Sequence, residues 1–263
     1  MSSNCNLFSR FSRCFPGEDN TFLTDDAGVC HTYADLEKKS SDIAYNLVEK
    51  GLRPGDRVTL IAQKSLNALW IYLGCLRAGA IFHPINPDYS KPEIVFFLND
   101  ARPKFLVTDG GASLKIGNLA SQVESIEEHL QIPLVDREGL LCPPENADQD
   151  NFPCHVNTPN DTAALLYSSG TTGDPKGICL THGNLYENAA SLCRAWQFSS
   201  NDVLLHVLPV FHVHGLFIAL GPVLVAGASM RYQNRFVVDE VIEALPNVTV
   251  LMGVPTFYSR LLD

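Results

Sequence analysis

From Thr32 onward, short β-branched runs alternate with longer stretches of helical period, and that alternation restricts the chain to an α/β fold of βαβ units around a mostly parallel sheet. Thr32 and Asp35 make a capping start, Leu36, Ile43, Leu47 and Val48 share one helical face, and Gly51 stops the helix. Pro54-Gly55-Asp56 then turns the chain into a strand over 57–62. A second helix is expected over 66–78, ending at Gly79 and returning through Ile81-Phe82, and a third over 92–101 leads to a strand over 104–108. After a weakly patterned stretch, strands are expected over 163–167, 178–181, 203–208 and 248–252, with helices over 184–196, 213–225 and 237–244.

The weak stretch runs from about 110 to 160 and contains Pro143-Pro144-Glu145-Asn146-Ala147-Asp148, the best linker candidate in the chain. It divides the expected organisation into a first α/β subdomain over 1–160 and a partial second one over 161–263. With 263 residues, 46% of them hydrophobic, there is material for one large core or two modest ones.

Composition removes several function classes. A net charge of −10 repels phosphate backbones and anionic membranes, so nucleic acid is not expected as a partner. Residues 203–230 carry no formal charge and are numerous enough to cross a bilayer, but Pro209 and Pro222 interrupt them. His206, His212 and His214 would each need a partner in hydrocarbon, so a buried strand followed by a buried helix is expected and no transmembrane segment. The eight cysteines form no C-x-x-C pair and read as thiols of a reducing, intracellular compartment. The first fifteen residues lack acids and carry Arg10 and Arg13, a composition shared with mitochondrial transit peptides. The spacing of Leu7, Phe8, Phe11 and Phe15 favours a helix docked on a core instead. Cytoplasm is the favoured location, with mitochondrion and peroxisome open.

The most informative stretch is Tyr167-Ser168-Ser169-Gly170-Thr171-Thr172-Gly173-Asp174-Pro175-Lys176-Gly177. Its glycines let backbone N–H groups approach a polyanion, its Ser and Thr hydroxyls donate to phosphate oxygens, and Lys176 supplies compensating charge. Asp174 and Pro175 stand where a Walker A loop needs Gly-Lys, and no Rossmann G-x-G-x-x-G is present. Composition alone leaves a ligand-free Ser/Gly hairpin equally open.

The order of residues 168–177 resembles, at every position, the Ser-Ser-Gly-Thr-Thr-Gly-x-Pro-Lys-Gly signature of the adenylate-forming superfamily, which includes acyl-CoA synthetases, luciferases and peptide-synthetase adenylation domains. Leu208-Pro209-Val210-Phe211-His212-Val213-His214-Gly215-Leu216 resembles that family's second segment. Met252-Gly253-Val254-Pro255-Thr256-Phe257-Tyr258 resembles the segment that walls its acyl pocket. The runs Gly51 to Val58 and Arg77 to Ala80 are similar to early structural elements of the family. Malonyl-CoA synthetases are the most similar branch, through Asn6-Leu7-Phe8, the His212 to Leu216 run, Tyr258 and Arg260.

The resemblance implies stacked, doubly wound, mostly parallel sheets, of which this chain holds the N-terminal part with the second unfinished and no C-terminal domain. It implies a reaction in which a carboxylate, malonate by preference, is joined to AMP from ATP with Mg²⁺ and then passed to coenzyme A. Ser168, Ser169, Gly170, Thr171, Thr172 and Gly173 are then assigned to the phosphates, with Lys176 as the mobile cation of the loop. His212, Met252, Gly253, Val254 and Pro255 are assigned to the acid, with Lys176 and His212 as the catalytic candidates. Arg260, Arg235 and His214 are the cations that could meet a second carboxylate. No metal ligand is assigned and oligomeric state is left open. The family's Tyr-Gly-x-Thr-Glu segment, ribose aspartate and late catalytic lysine do not occur before Asp263. The expected alternative is accordingly an inactive short form that acts as a nucleotide-binding or interaction module.

Overall fold

The computed structural model describes residues 4–132, 152–168 and 175–263. Its strands, in chain order, are β1 Thr21–Asp25, β2 Cys30–Thr32, β3 Arg57–Ile61, β4 Ile81–Ile85, β5 Phe105–Asp109, β6 Glu128–Ile132, β7 Thr162–Ser168, β8 Lys176–Thr181, β9 Val203–His206, β10 Ser229–Tyr232 and β11 Val250–Leu251. Its helices are α1 Leu7–Ser12, α2 Tyr33–Glu49, α3 Leu66–Ala78, α4 Lys91–Ala101, α5 Gly110–Ile116, α6 His182–Trp196, α7 Leu220–Ala226, α8 Val238–Ala244 and α9 Pro255–Leu262, with a π-helical segment His214–Ala219 ahead of α7.

These elements form two compact units, one of residues 1–9, 38–63 and 67–184, the other of residues 10–37, 64–66 and 185–263. The division differs from a single cut near residue 160. In the first unit β7 pairs with β4 and continues the early sheet, and in the second β1 pairs in parallel with β10. Strand pairing, which is blind to sequence distance, therefore interleaves the two units along the chain.

The sheet of the first unit has the order β6-β5-β3-β4-β7-β8, parallel except for the antiparallel β8. Both faces are covered, as a parallel sheet requires. Ile61 and Ile85 pack with Ile94, Phe97 and Leu98 of α4 and Ile116 of α5. On the opposite pleat of β4, Phe82 meets Tyr72 of α3 with ring centroids 5.1 Å apart. The stretch after residue 110, expected as linker, contains α5 and β6. Asp109 accepts from the Ala112 N–H at 2.7 Å and starts α5, and β6 adds an edge strand with Leu130 and Ile132 buried. The Pro143 to Asp148 run lies outside the described residues.

The N-terminal turn is held by Asn6, which is fully buried. Its Oδ1 accepts from the N–H groups of Phe8 at 2.9 Å and Ser9 at 3.4 Å, the N-cap pattern, and its Nδ2 donates to the Leu76 carbonyl at 2.6 Å and Asn157 Oδ1 at 2.8 Å. Asn6→Ala strands several buried polar partners at once and is expected to cost about 2 kcal/mol. A urea titration of the variant showing a loss below about 0.5 kcal/mol, the range of ordinary surface substitutions, would contradict that account.

The second unit carries a sheet of order β11-β9-β10-β1-β2, parallel except for the β1–β2 hairpin. Thr32 and Asp35 form the expected reciprocal cap, the Thr32 N–H reaching Asp35 Oδ2 at 2.7 Å and the Asp35 N–H reaching Thr32 Oγ1 at 3.1 Å. The uncharged stretch after Val203 becomes buried β9, the π-helical segment and α7. Pro222 is the third residue of α7, which continues directly from the π-helical segment, so the proline has no N–H to donate back into that segment. Among the described residues no helix is long and apolar enough to cross a membrane.

Candidate functional site

β7 and β8 form an antiparallel hairpin whose last paired positions are Ser168 and Lys176. Ser169, Gly170, Thr171, Thr172, Gly173 and Asp174 lie outside the described residues, so the hairpin fixes the two ends of the glycine-rich loop. Ser168 is partly buried and Lys176 exposed. This side of the loop is anchored by Tyr167, whose hydroxyl donates to Asp100 Oδ2 at 2.5 Å and whose ring lies 4.7 Å from Phe97 and 5.4 Å from His83. Burial, and then the Asp100 carboxylate, push the Tyr167 phenol up, so it stays a neutral donor.

A cavity of about 480 Å³ opens at the root of the loop, lined by Tyr89, Phe96, Phe97, Tyr167, Ser168 and Pro175. Glu93 stands at its wall, but its carboxylate is already held by the Ser90 hydroxyl at 2.6 Å and the Ser90 N–H at 2.8 Å, bonds that draw its pKa down. The combination is an apolar recess beside a hydroxyl, a glycine-rich loop and a solvent-facing lysine. Such a set can grip the phosphates of a ligand whose other parts need an apolar wall.

In the second unit, His214, Met252, Gly253, Trp196 and Tyr258 line a separate cavity of about 370 Å³. His212 is not among its lining residues. It is exposed, with its ring against that of Phe211 at 4.7 Å, and the protein around it is enough to lower its pKa by desolvation. Val254 is the N-cap residue of α9 and Pro255 its first residue, both exposed, the fixed φ of proline suiting that position. Of the residues assigned to the acid, the structure thus gathers Met252 and Gly253 around His214. Of the other two candidate cations, Arg260 sits 4.8 Å from the Phe236 ring centre, and Arg235 lines a polar cavity of about 550 Å³ with Asp26, Arg231 and Glu240.

The segment carrying His214 is tightly seated. A Cβ on Gly215 would lie 2.1 Å from the Pro209 carbonyl oxygen. The Gly215 carbonyl, in turn, is 2.9 Å from Nε2 of the buried His206. His206 pairs with Lys64, a contact that sequence reasoning missed, because a lysine between Gln63 and Ser65 reads as a solvated turn residue. Trp196 was likewise invisible as a cavity residue, since its helix exposes it in part, whereas Tyr258 belongs to the segment that the resemblance assigned to the pocket wall.

The sequence profile of AMP-binding enzymes matches residues 9–263. The mitochondrial malonate–CoA ligase ACSF3 of Mus musculus is 29% identical over 264 residues, covering 96% of this chain and 44% of that protein. The oxalate–CoA ligase of Arabidopsis thaliana is 30% identical, covering 98% and 51%. Among solved structures, ATP-bound MatB from Rhodopseudomonas palustris superposes with a TM-score of 0.88 at 37% identity, covering 99% of this chain and 51% of that one. The chain therefore spans about half the length of these relatives. With a profile match over nearly all of its residues, the chain belongs to the family of AMP-binding enzymes.

Proposed function

We propose that this chain supplies the nucleotide-phosphate and acid-recognition part of an ATP-dependent acid–thiol ligase, with malonate as the acid. The observation that carries the reading is the β7–β8 hairpin, which pairs Ser168 with Lys176 at the mouth of a Ser/Gly/Thr loop. The nearness of an ATP-bound structure and of a malonate–CoA ligase supports the choice of ATP and of malonate. The activity is proposed for a polypeptide in which this chain is accompanied by a counterpart of the remaining half of those relatives.

In the reaction, a carboxylate oxygen attacks the α-phosphorus of ATP, the bond to pyrophosphate breaks, and an acyl-adenylate forms. Coenzyme A thiolate then attacks the acyl carbon and AMP leaves. Approach of an anion to a polyanion is the obstacle, so catalysis depends on donors fixed before the charges meet. Ser168, Ser169, Thr171 and Thr172 donate to phosphate oxygens, the glycines bring the backbone close, and Lys176 follows the charge as it moves to the leaving group. Mg²⁺ bound with the nucleotide would neutralise further phosphate charge. His214, Met252 and Gly253 bound the acid, with His212 two residues before His214 at the surface. His214 is the candidate cation that lines the cavity, Arg260 lying over the Phe236 ring and Arg235 in a separate cavity.

Titrating ATP into the chain tests the loop. Lys176→Ala is expected to weaken binding at least tenfold, about 1.4 kcal/mol. An affinity within twofold of the parent would remove Lys176 from the phosphate grip. Pyrophosphate exchange into ATP that depends on malonate, and not on oxalate or 4-coumarate, tests the choice of acid.

A further inference from the structure

Lys64 and His206 are a buried pair that the proposed chemistry does not use. Lys64 is 6% exposed and stands just ahead of α3; its Nζ is 2.8 Å from His206 Nδ1, donates to the His206 carbonyl at 2.7 Å and lies 4.1 Å from the centre of the Tyr232 ring. His206, 1% exposed, directs Nε2 at the Gly215 carbonyl. A carbonyl can only accept, so Nε2 carries a proton, and with Lys64 Nζ as donor Nδ1 offers its lone pair, the arrangement of a neutral imidazole. Burial lowers the pKa of both groups, with Asp26 opposing the shift at Lys64 and the Lys64 charge adding to it at His206, in keeping with a neutral ring. The donor direction is then fixed along the whole line, from Lys64 to His206 to Gly215.

That line ends on a segment with an unusual backbone. Gly215 is the second residue of the π-helical run His214–Ala219, a geometry that is rare and frequent at functional sites. His214, its first residue, faces the cavity of about 370 Å³. Burying a lysine amine is costly, and a methionine would fill the same space without that cost, so packing alone does not account for lysine at position 64.

We propose that Lys64 is a positioning residue: acting through the His206 ring, it fixes the Gly215 carbonyl and so sets His214 at the cavity that recognises the acid. The inference rests on the reading of that cavity as the acid site and assigns the group that holds its histidine in place.

Amide hydrogen exchange on the intact chain tests it without any substrate. Lys64→Met, which keeps the aliphatic stem, is expected to speed exchange in 214–220 at least tenfold while β9 and β10 change less than threefold. His206→Phe should reproduce the effect. His206→Gln keeps one donor and one acceptor and should remain within threefold of the parent. Long-range proton–nitrogen spectra should show His206 as the Nε2–H tautomer. Exchange in 214–220 within twofold of the parent in Lys64→Met, an equal acceleration throughout the unit, or a doubly protonated His206 would each overturn the proposal. In a second experiment, malonate is expected to bind Lys64→Met at least tenfold more weakly while ATP affinity stays within twofold. If malonate fails to bind the parent chain, the acid reading falls while the exchange data still decide whether Lys64 positions the segment.

Discussion

Gly215→Ala is expected to destabilise the second unit by about 3 kcal/mol or more, on the order of a hundredfold in its unfolding equilibrium. The added methyl would lie 2.1 Å from the Pro209 carbonyl oxygen, 2.9 Å from the Pro209 carbonyl carbon and 3.1 Å from Leu208 Cβ. Two of these neighbours are backbone, so no rotamer change relieves the overlap and the π-helical run has to move away from Pro209. That movement also pulls the Gly215 carbonyl from His206, leaving a buried N–H without its acceptor. Gly253→Ala is the informative comparison, because its nearest contacts, Phe257 Cβ at 3.3 Å and Phe257 Cδ2 and Tyr258 Cε2 at 3.4 Å, need only a small adjustment. Trp196, half exposed, reports on this unit by fluorescence. Urea midpoints of the two variants should differ clearly, with Gly253→Ala close to the parent. Equal midpoints would mean that the segment is not seated against Pro209 as described.

What could be read from the sequence follows from the range of the forces involved. The bounds of α3 agree with expectation because an apolar run and Gly79, at φ 73°, encode the helix and its stop within a few residues. The β7–β8 hairpin was legible for a similar reason, as a polar, glycine-rich loop between two short apolar runs. β6 was missed because Glu128-His129-Leu130-Gln131-Ile132 alternates in period two with only two apolar residues, too short a signal beside the continuous apolar run of β7. The interleaving of the two units was out of reach, since β1 meets β10 some 200 residues away and nothing local signals that pairing. The same distance hid Lys64 and His206, which meet across 142 residues. Each alone has an ordinary reading, the lysine as solvated and the histidine as one polar residue in an apolar strand. Only their contact makes them informative.

Acid should weaken the first unit well before its carboxylates titrate. His182 is fully buried, and its Nδ1 accepts from the Leu7 N–H at 2.9 Å, a bond that exists only with that nitrogen unprotonated. Burial pulls its pKa down to about 4, and the attraction of the Asp161 carboxylate offsets only part of that. The unfolded chain takes up the same proton near pH 6.5, so between those values the unfolded state binds more protons and acid favours it. The stabilisation is complete above about pH 6.5 and declines as pH falls towards about 4, a loss of about 3 kcal/mol from this residue. His83, buried beside Thr59 with its pKa drawn down to about 3 by desolvation, acts in the same direction over a slightly wider range. Asp161 belongs to a different window: hydrogen bonds from Thr158 hold its pKa below the usual carboxylate value, so its contribution disappears only at lower pH. The measurement is urea unfolding followed by the buried Trp70 in a Trp196→Phe background at pH 7, 5.5 and 4.5. His182→Gln keeps an acceptor for the Leu7 N–H but cannot titrate, so it is expected to begin less stable than the parent at pH 7 and to lose less on acidification. If both proteins weaken with the same slope, the loss has another source and His182 is not the group that makes this unit sensitive to acid.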